Sequence, residues 1–348
     1  MVIATEPVTR RRSPIGDYLR RTASADKTRC GFWEWFHFAV RLPTGPDLVV
    51  NLCTAPDPRT GASPSAWFGC STILVHDGDW SGDTVRHEQG EVQLGAGRVW
   101  VAMGDNTLSV RRGVYHLHAS SPRDQIRLDL DFVPLAMPAT ATGVQLAENR
   151  GLSWFVLPRL AATGIVEVGR HTHHLQGALA YHDHNWGPLG GADLSWEWGY
   201  CLPKERGAPE SVFFVRILDR ARCTTHMQGL FLWSGGRPLR LFRDGEMRIA
   251  RTGERLQRSH VRPRVCSLLV PPLDVAVPRT LRVEGSRGED WLALSVDLLD
   301  AIRIAMPDGP HEDLLVIHES RGLATLSGSI DGAPIEVETD GFFEFVTR

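Results

Sequence analysis

Lysine is nearly missing from this chain: Lys27 and Lys204 are the only two, and arginine makes up the rest of the 38 basic residues. That bias fits coding in a GC-rich bacterial genome. The basic residues meet 41 acidic ones for a formal charge of −3, so there is no electrostatic footprint for nucleic acid. No apolar run approaches the roughly 18 residues of a membrane-crossing helix. The basic N-terminus (Arg10, Arg11, Arg12, Arg20, Arg21) is not followed by an apolar segment and cleavage site, so a secretory leader is not expected. The six cysteines (Cys30, Cys53, Cys70, Cys201, Cys223, Cys266) are scattered, with no Cys-x-x-Cys pair. They read as reduced thiols of a cytoplasmic protein rather than a disulfide or zinc framework. A Gly-x-Ser-x-Gly elbow is absent, which leaves nucleophilic catalysis without support. Gly95-Ala96-Gly97 is followed by no helical pattern and reads as a turn, so no nucleotide, flavin or other cofactor is expected.

A sustained helical stripe is also absent. Short runs rich in β-formers replace it, among them Leu48–Leu52, Ile126–Phe132 and Val212–Leu218. Turn signals punctuate them, including Asp77-Gly78, Asp244-Gly245, Asp308-Gly309 and Asp331-Gly332. The chain therefore reads as an antiparallel all-β protein, sandwich or barrel. Its 348 residues suffice for two domains with sizeable cores.

A faint internal echo divides it. Trp33-Glu34-Trp35 opens one hairpin-like pattern that runs through Pro43–Pro46 into Leu48-Val49-Val50. Trp196-Glu197-Trp198 opens another that runs through Pro203–Pro209 into Val212–Val215. The expected organisation is a flexible basic tail over 1–30, one β-domain over 31–188 and a second over 189–348. That boundary is good to about 20 residues.

The densest chemistry lies at Tyr181-His182-Asp183-His184-Asn185-Trp186-Gly187. A merely structural strand does not need so many polar groups, because each one buried must find a partner. The lead-in Gly177–Ala180 and the closing Gly187-Pro188 suggest a short extended segment ending in a turn. Strand alternation then puts Tyr181, Asp183 and Asn185 on one face and His182, His184 and Trp186 on the other. The first face combines a phenol, a carboxyl and an amide, a constellation suited to proton transfer. If the echo is real, this segment lies at the domain junction, a favoured place for ligand sites.

Three landmarks carry a resemblance to a known family. Residues 181–187 resemble the signature of the carotenoid 1,2-hydratase-like (hydroxyneurosporene synthase-like) superfamily. Glu34-Trp35-Phe36-His37-Phe38 resembles its Glu-Trp-Trp-Tyr-Phe segment, with His37 departing at the fourth place. Gly341-Phe342-Phe343-Glu344-Phe345 resembles its C-terminal ending. The resemblance implies two lipocalin-like (calycin) β-domains with a pocket at or near their junction. The group includes polyene hydratases, cyclases and Diels–Alder-type pericyclases of natural-product pathways, so it implies a fold more narrowly than a reaction.

Hydrating an isolated alkene, or cyclising a polyene, begins by protonating carbon. The acid must stay protonated, and the cation must be shielded from water. A carboxyl in an aromatic-lined apolar cavity meets both needs, since desolvation raises its pKa. Asp183 is the candidate acid, with Tyr181 and Asn185 holding its proton or positioning a water, and His184 assisting from the other face. Trp33, Trp35, His37, His182, Trp196 and Trp198 are the candidate substrate-binding residues, the indoles stabilising a developing cation. The ordinary alternative for Asp183 is a buried carboxylate that ties strands together through backbone N–H groups. Glu34, Glu197 and Glu344 read as arginine partners.

The expected partner is a hydrophobic small molecule, a polyene, terpenoid or polyketide, with peripheral membrane contact if it is a lipid. Two other readings remain open. One is a lipocalin-like carrier of a lipophilic ligand without turnover. The other is a zinc-dependent hydrolase using His171-Thr172-His173-His174 with His182 and His184. The spacing matches no helix-borne zinc motif, so no metal is expected and a surface or loop cluster is the simpler account.

Overall fold

The computed structural model describes residues 17–21, 31–42, 45–57, 59, 66–147, 150–189, 194–204, 209–258, 261–263, 274–307 and 314–347. Among them no α-helix occurs, as the missing helical stripe implied; the exceptions to strand and loop are single 3-10 turns such as Gln89–Glu91. The chain divides into two compact units, Met1–Gly190 and Gly191–Arg348.

In the first unit the strands are β1 (Phe32–Arg41), β2 (Asp47–Pro56), β3 (Trp67–His76), β4 (Trp80–His87), β5 (Val92–Leu94) and β6 (Trp100–Met103). They continue as β7 (Asn106–Arg111), β8 (Val114–Ser121), β9 (Ile126–Pro134), β10 (Ala139–Ala147), β11 (Arg150–Val168) and β12 (His171–Pro188). One antiparallel sheet orders them β4-β3-β2-β1-β12-β11-β9-β8-β7-β6-β5, with β10 paired to β11. The sheet curls into a nearly closed barrel in which β3 packs against β6. Its core includes Phe36, Phe38, Leu108, Leu117, Phe132 and Phe155.

The second unit carries β13 (Leu194–Cys201), β14 (Ser211–Asp219), β15 (Thr225–Ser234), β16 (Arg237–Arg243) and β17 (Met247–Arg258). After them come β18 (Val261–Arg262), β19 (Asp274–Arg287), β20 (Asp290–Pro307), β21 (Leu314–Ile330) and β22 (Ala333–Thr347). The order is β16-β15-β14-β13-β22-β21-β20-β19-β17, with β18 beside β20. Phe214, Phe242, Leu294, Leu326, Phe343 and Phe345 build its core.

The two orders follow one rule. Each unit's first four strands run outward as a meander, and its last strand pairs with its first. The Trp-Glu-Trp echo thus falls on equivalent strands: Glu34 of β1 lies opposite Trp186, and Glu197 of β13 lies opposite Phe345. Asp77-Gly78 and Asp331-Gly332 do join strands, and Asp244-Gly245 opens a 3-10 turn; Asp308-Gly309 lies outside the described residues.

Two expectations need correction. The segment 171–188 is not a short strand ending in a turn but one 18-residue strand, β12. Its polar first half is carried by pairing with β11, from Val168↔His171 to Ala162↔Ala178. A register shift there falls at Gly177 (φ +74), a bulge that turns Ala178 onto the core face already used by Leu175. The second concerns the tail. Within the stretch expected to be flexible, Asp17–Arg21 is built into the first unit: Leu19 is 1% exposed and belongs to its core. Charge pairing of Asp17 with a buried histidine and the burial of Leu19 hold it there.

Candidate active site

Strand alternation sorts the candidate residues by face. Even-numbered residues of β12 from Ala178 to Trp186 face the first unit's core, where His182 and His184 are fully buried. Tyr181, Asp183 and Asn185 share the opposite face with Trp33, Trp35 and His37 of β1; His37 lies directly across from Asp183. The structure therefore brings Asp183, Tyr181 and Asn185 together and places His184 and His182 behind them, on the other side of the sheet. Trp196 and Trp198 belong to the second unit.

On the first face Asp183 is buried, and its Oδ1 accepts a hydrogen bond from the Asn185 amide. The rings of His37 and Tyr181 meet edge-on with centroids 6.3 Å apart. Burial, aided by the nearby His182, pushes the His37 imidazole down to about 3, so it is neutral at physiological pH. Gly187 ends this run at a close crossing. A Cβ there would lie 2.0 Å from the backbone oxygen of Gly151, and its φ of +155 further restricts the position to glycine.

On the core face, sequence reasoning missed the central residue. Asp17 Oδ1 lies 2.6 Å from Nδ1 of His184, whose Nε2 is 3.0 Å from Glu34 Oε1. Carboxylate oxygens only accept, so both ring nitrogens carry protons and His184 is an imidazolium. Burial opposes that charge, but the Asp17 and Glu34 carboxylates outweigh it and raise the His184 pKa. Burial likewise pushes Asp17 up, yet His184 and His182 hold it well below the usual carboxylate range. The Tyr115 hydroxyl donates to Asp17, and burial with that carboxylate beside it pushes the phenol well above its usual value. His182 Nδ1 donates to the His37 carbonyl at 2.9 Å, and burial keeps this ring's pKa low despite Asp17. Phe36 stacks on His184 at 4.0 Å and Phe38 on His182 at 4.1 Å.

Glu34 takes the backbone N–H groups of Arg20 and Arg21 at 2.5 and 2.8 Å. The Arg20 guanidinium lies 3.4 Å from the Tyr18 ring centroid and 4.2 Å from that of Trp186. Arg21 donates to Thr54 Oγ1 at 2.9 Å. Asp17–Arg21 is thus held against β1, β2 and β12 by several contacts.

In the second unit, Trp196, Trp198 and Tyr200 lie on the face of β13 away from the core. Glu344 of β22 joins them: it pairs across to Trp198, and its Oε1 accepts from Trp196 Nε1 at 2.8 Å. Burial raises Glu344 to about 7, with the indole N–H opposing the shift. Glu319 of β21 stands directly opposite Glu344 on the same face. Tyr200 extends the aromatic surface to Phe342 with centroids 5.8 Å apart. Glu344 was read as an arginine partner; its indole partner arrives from a strand far off in sequence.

His171 and His174 are exposed, on a strand rather than a loop, while His182 and His184 lie in the core. Among the described residues no three His, Cys, Asp or Glu come together as metal ligands, so the set required by the zinc reading is not assembled. Cys53, Cys70, Cys201 and Cys223 are free thiols, and burial pushes Cys70 up to about 12.

The sequence matches no family model and no curated protein. Solved structures share its fold. A protein from Nitrosomonas europaea assigned as AttH aligns with a TM-score of 0.64 at 15% identity, covering 96% of this chain and 98% of that one. Kievitone hydratase from Nectria haematococca aligns at 0.61 and 13% identity, over 97% and 96%. CghA, solved with Sch210972, aligns at 0.56 and 15% identity, over 91% and 88%. At these identities the likeness is one of fold.

Proposed function

We propose that the protein is an enzyme of the hydratase or cyclase kind, acting on a hydrophobic polyene, terpenoid or polyketide. Asp183 delivers or relays the proton. The observation that carries this reading is the buried Asp183 carboxyl, tied to Asn185 and set among Tyr181, His37, Trp33 and Trp35. His37, neutral at physiological pH, stands directly opposite it. In the first step the Asp183 O–H bond breaks as a C–H bond forms at one alkene carbon, leaving a carbocation on the other. Capture by water, with loss of its proton to the carboxylate, completes a hydration. Capture by an internal alkene, with later proton loss, completes a cyclisation at unchanged mass. Asn185 orients the carboxyl, and the indole faces stabilise the cation by about 1–2 kcal/mol when desolvated.

In a pericyclic variant, holding one folded conformer supplies most of the acceleration, and Asp183 polarises a carbonyl instead. The carrier reading is weakened for the first unit, whose interior holds a large core of side chains that includes Leu19 and the buried Asp17 pairing. The fold's occurrence in kievitone hydratase supports the enzyme reading. Mass spectrometry of host extracts with and without the gene tests it. An accumulated precursor of the product's mass assigns a cyclase or isomerase, and one lighter by a water assigns a hydratase. An unchanged set of metabolites, altered only in amount or location, would turn the reading to a carrier.

A further inference from the structure

The equivalent glutamates of the two units are neutralised in different ways. Glu34 is met by backbone amides of Asp17–Arg21 and by His184. Glu197, fully buried, is met by three guanidiniums. Arg216 comes from β14, directly opposite Glu197, and its Nη1 is 3.8 Å from Glu197 Oε2. Arg222, in the turn after β14, and Arg251, on β17, both bond Glu197 Oε1. Alternation puts Arg216 and Arg251 on the core face, in step with Phe214 and Met247.

Three positive charges thus surround one negative charge. Among the described residues no other carboxylate lies within ion-pair reach of these three, so the cluster carries an excess of about two charges. The guanidiniums are only partly covered, with side chains 24, 21 and 33% exposed for Arg216, Arg222 and Arg251. Their remaining bonds are few: Arg216 Nε to Thr225 Oγ1 at 3.1 Å and Arg222 Nη1 to the Val346 carbonyl at 2.7 Å. Each guanidinium has five N–H donors, so donors remain on all three beyond the bonds named. Burial lowers the pKa of Arg216 and of Arg222, and Arg216 lowers Arg222 further. The same field reaches His318 on the core face of β21, where burial, Arg303 and Arg222 push it down to about 4.

We propose that the Arg216–Arg222–Arg251 cluster around Glu197 is a binding site for a phosphate-type dianion, borne by a soluble phosphate ester or by a lipid headgroup. Two negative charges offset the excess, and several oxygens on one centre suit converging guanidinium forks better than a halide does. The inference is independent of the Asp183 reading, since it concerns the core face of the second unit.

Thermal midpoints titrated with inorganic phosphate, against chloride at matched ionic strength, test it in the full chain. The site requires a saturable rise for phosphate beyond that for chloride. Arg222→Gln with Arg251→Gln is expected to weaken phosphate binding at least tenfold. Glu197→Gln removes the competing carboxylate and is expected to tighten it severalfold, so a poorly folded arginine variant does not decide the matter. No saturable effect on the wild type, or weaker binding by Glu197→Gln, overturns the site. Sedimentation with phosphatidic acid in phosphatidylcholine vesicles distinguishes the sources. Arginine-dependent co-sedimentation assigns a lipid headgroup, and saturable phosphate binding without it assigns a soluble ester.

Discussion

Asp17 and His184 lie 167 positions apart in the chain, yet their side chains meet at 2.6 Å in the first unit's interior. The imidazolium is held between Asp17 and Glu34, so one of the contacts fastening the N-terminal segment to the barrel depends on a proton. Its sensitivity to pH has a definite sign. The lowered Asp17 pKa adds stability that is present above the unfolded value near 3.9 and is lost as pH falls through the folded one. The raised His184 pKa adds stability that is full below about 6.5 and is lost as pH rises through its folded value. The pair therefore contributes most between about pH 4 and 6.5.

Asp17→Asn is expected to cost about 3 kcal/mol near pH 6, because it leaves a buried cation with one partner fewer. The cost should shrink as pH rises above the folded pKa of His184. Urea denaturation of both proteins across pH 5.5–9 checks this; a cost independent of pH would mean that His184 is not the titrating group.

The neutral buried histidines act in the opposite sense. The pKa values of His37, near 3, and His318, near 4, are lowered, so their contribution is present above about 6.5 and is lost as pH falls through those values. His37→Phe should flatten the acid limb of the stability curve. An unchanged limb would show that His37 does not titrate with unfolding.

Glu344 makes a third pH-dependent contribution. Its raised pKa, about 7, means that the folded state holds a proton that the unfolded chain releases near 4.3. Its contribution is full below that value and falls as pH rises through 7. Glu344→Gln should therefore gain stability relative to wild type between pH 5 and 8. Thermal midpoints at the two pH values read this directly, and a gap that stays constant contradicts the protonated carboxyl.

Gly187→Ala is expected to cost 3 kcal/mol or more, about what a backbone clash in a packed sheet demands, and to lower the yield of folded protein. A variant of wild-type stability would mean that β12 and Gly151 do not approach as closely as described.

Much of the fold was legible because local signals agree with it. Ile126–Phe132 alternates cleanly and becomes β9, with Ile126, Leu128, Leu130 and Phe132 all in the core. The division of residues 181–186 between two faces also follows from alternation alone. What escaped depends on contacts distant in sequence. Nothing near Asp17 distinguishes it from other acids in a polar tail; its role exists only once β12 brings His184 to it. Glu344 sits among phenylalanines in a pattern that leaves its face undecided, and its environment is set by Trp196. The bulge at Gly177 hid the true length of β12, because the shift in parity there breaks the hydrophobic pattern.

The measurement that bears most directly on the proposed chemistry is metabolite mass spectrometry of the host carrying Asp183→Asn in place of the wild-type gene. The carboxyl lies in a pre-formed bond to Asn185, so the variant should fold within about 1–2 kcal/mol of wild type. It is expected to accumulate the same precursor as the gene deletion, with the product gone. A soluble, folded variant that makes the product at the wild-type level would contradict the assignment of Asp183 as the acid.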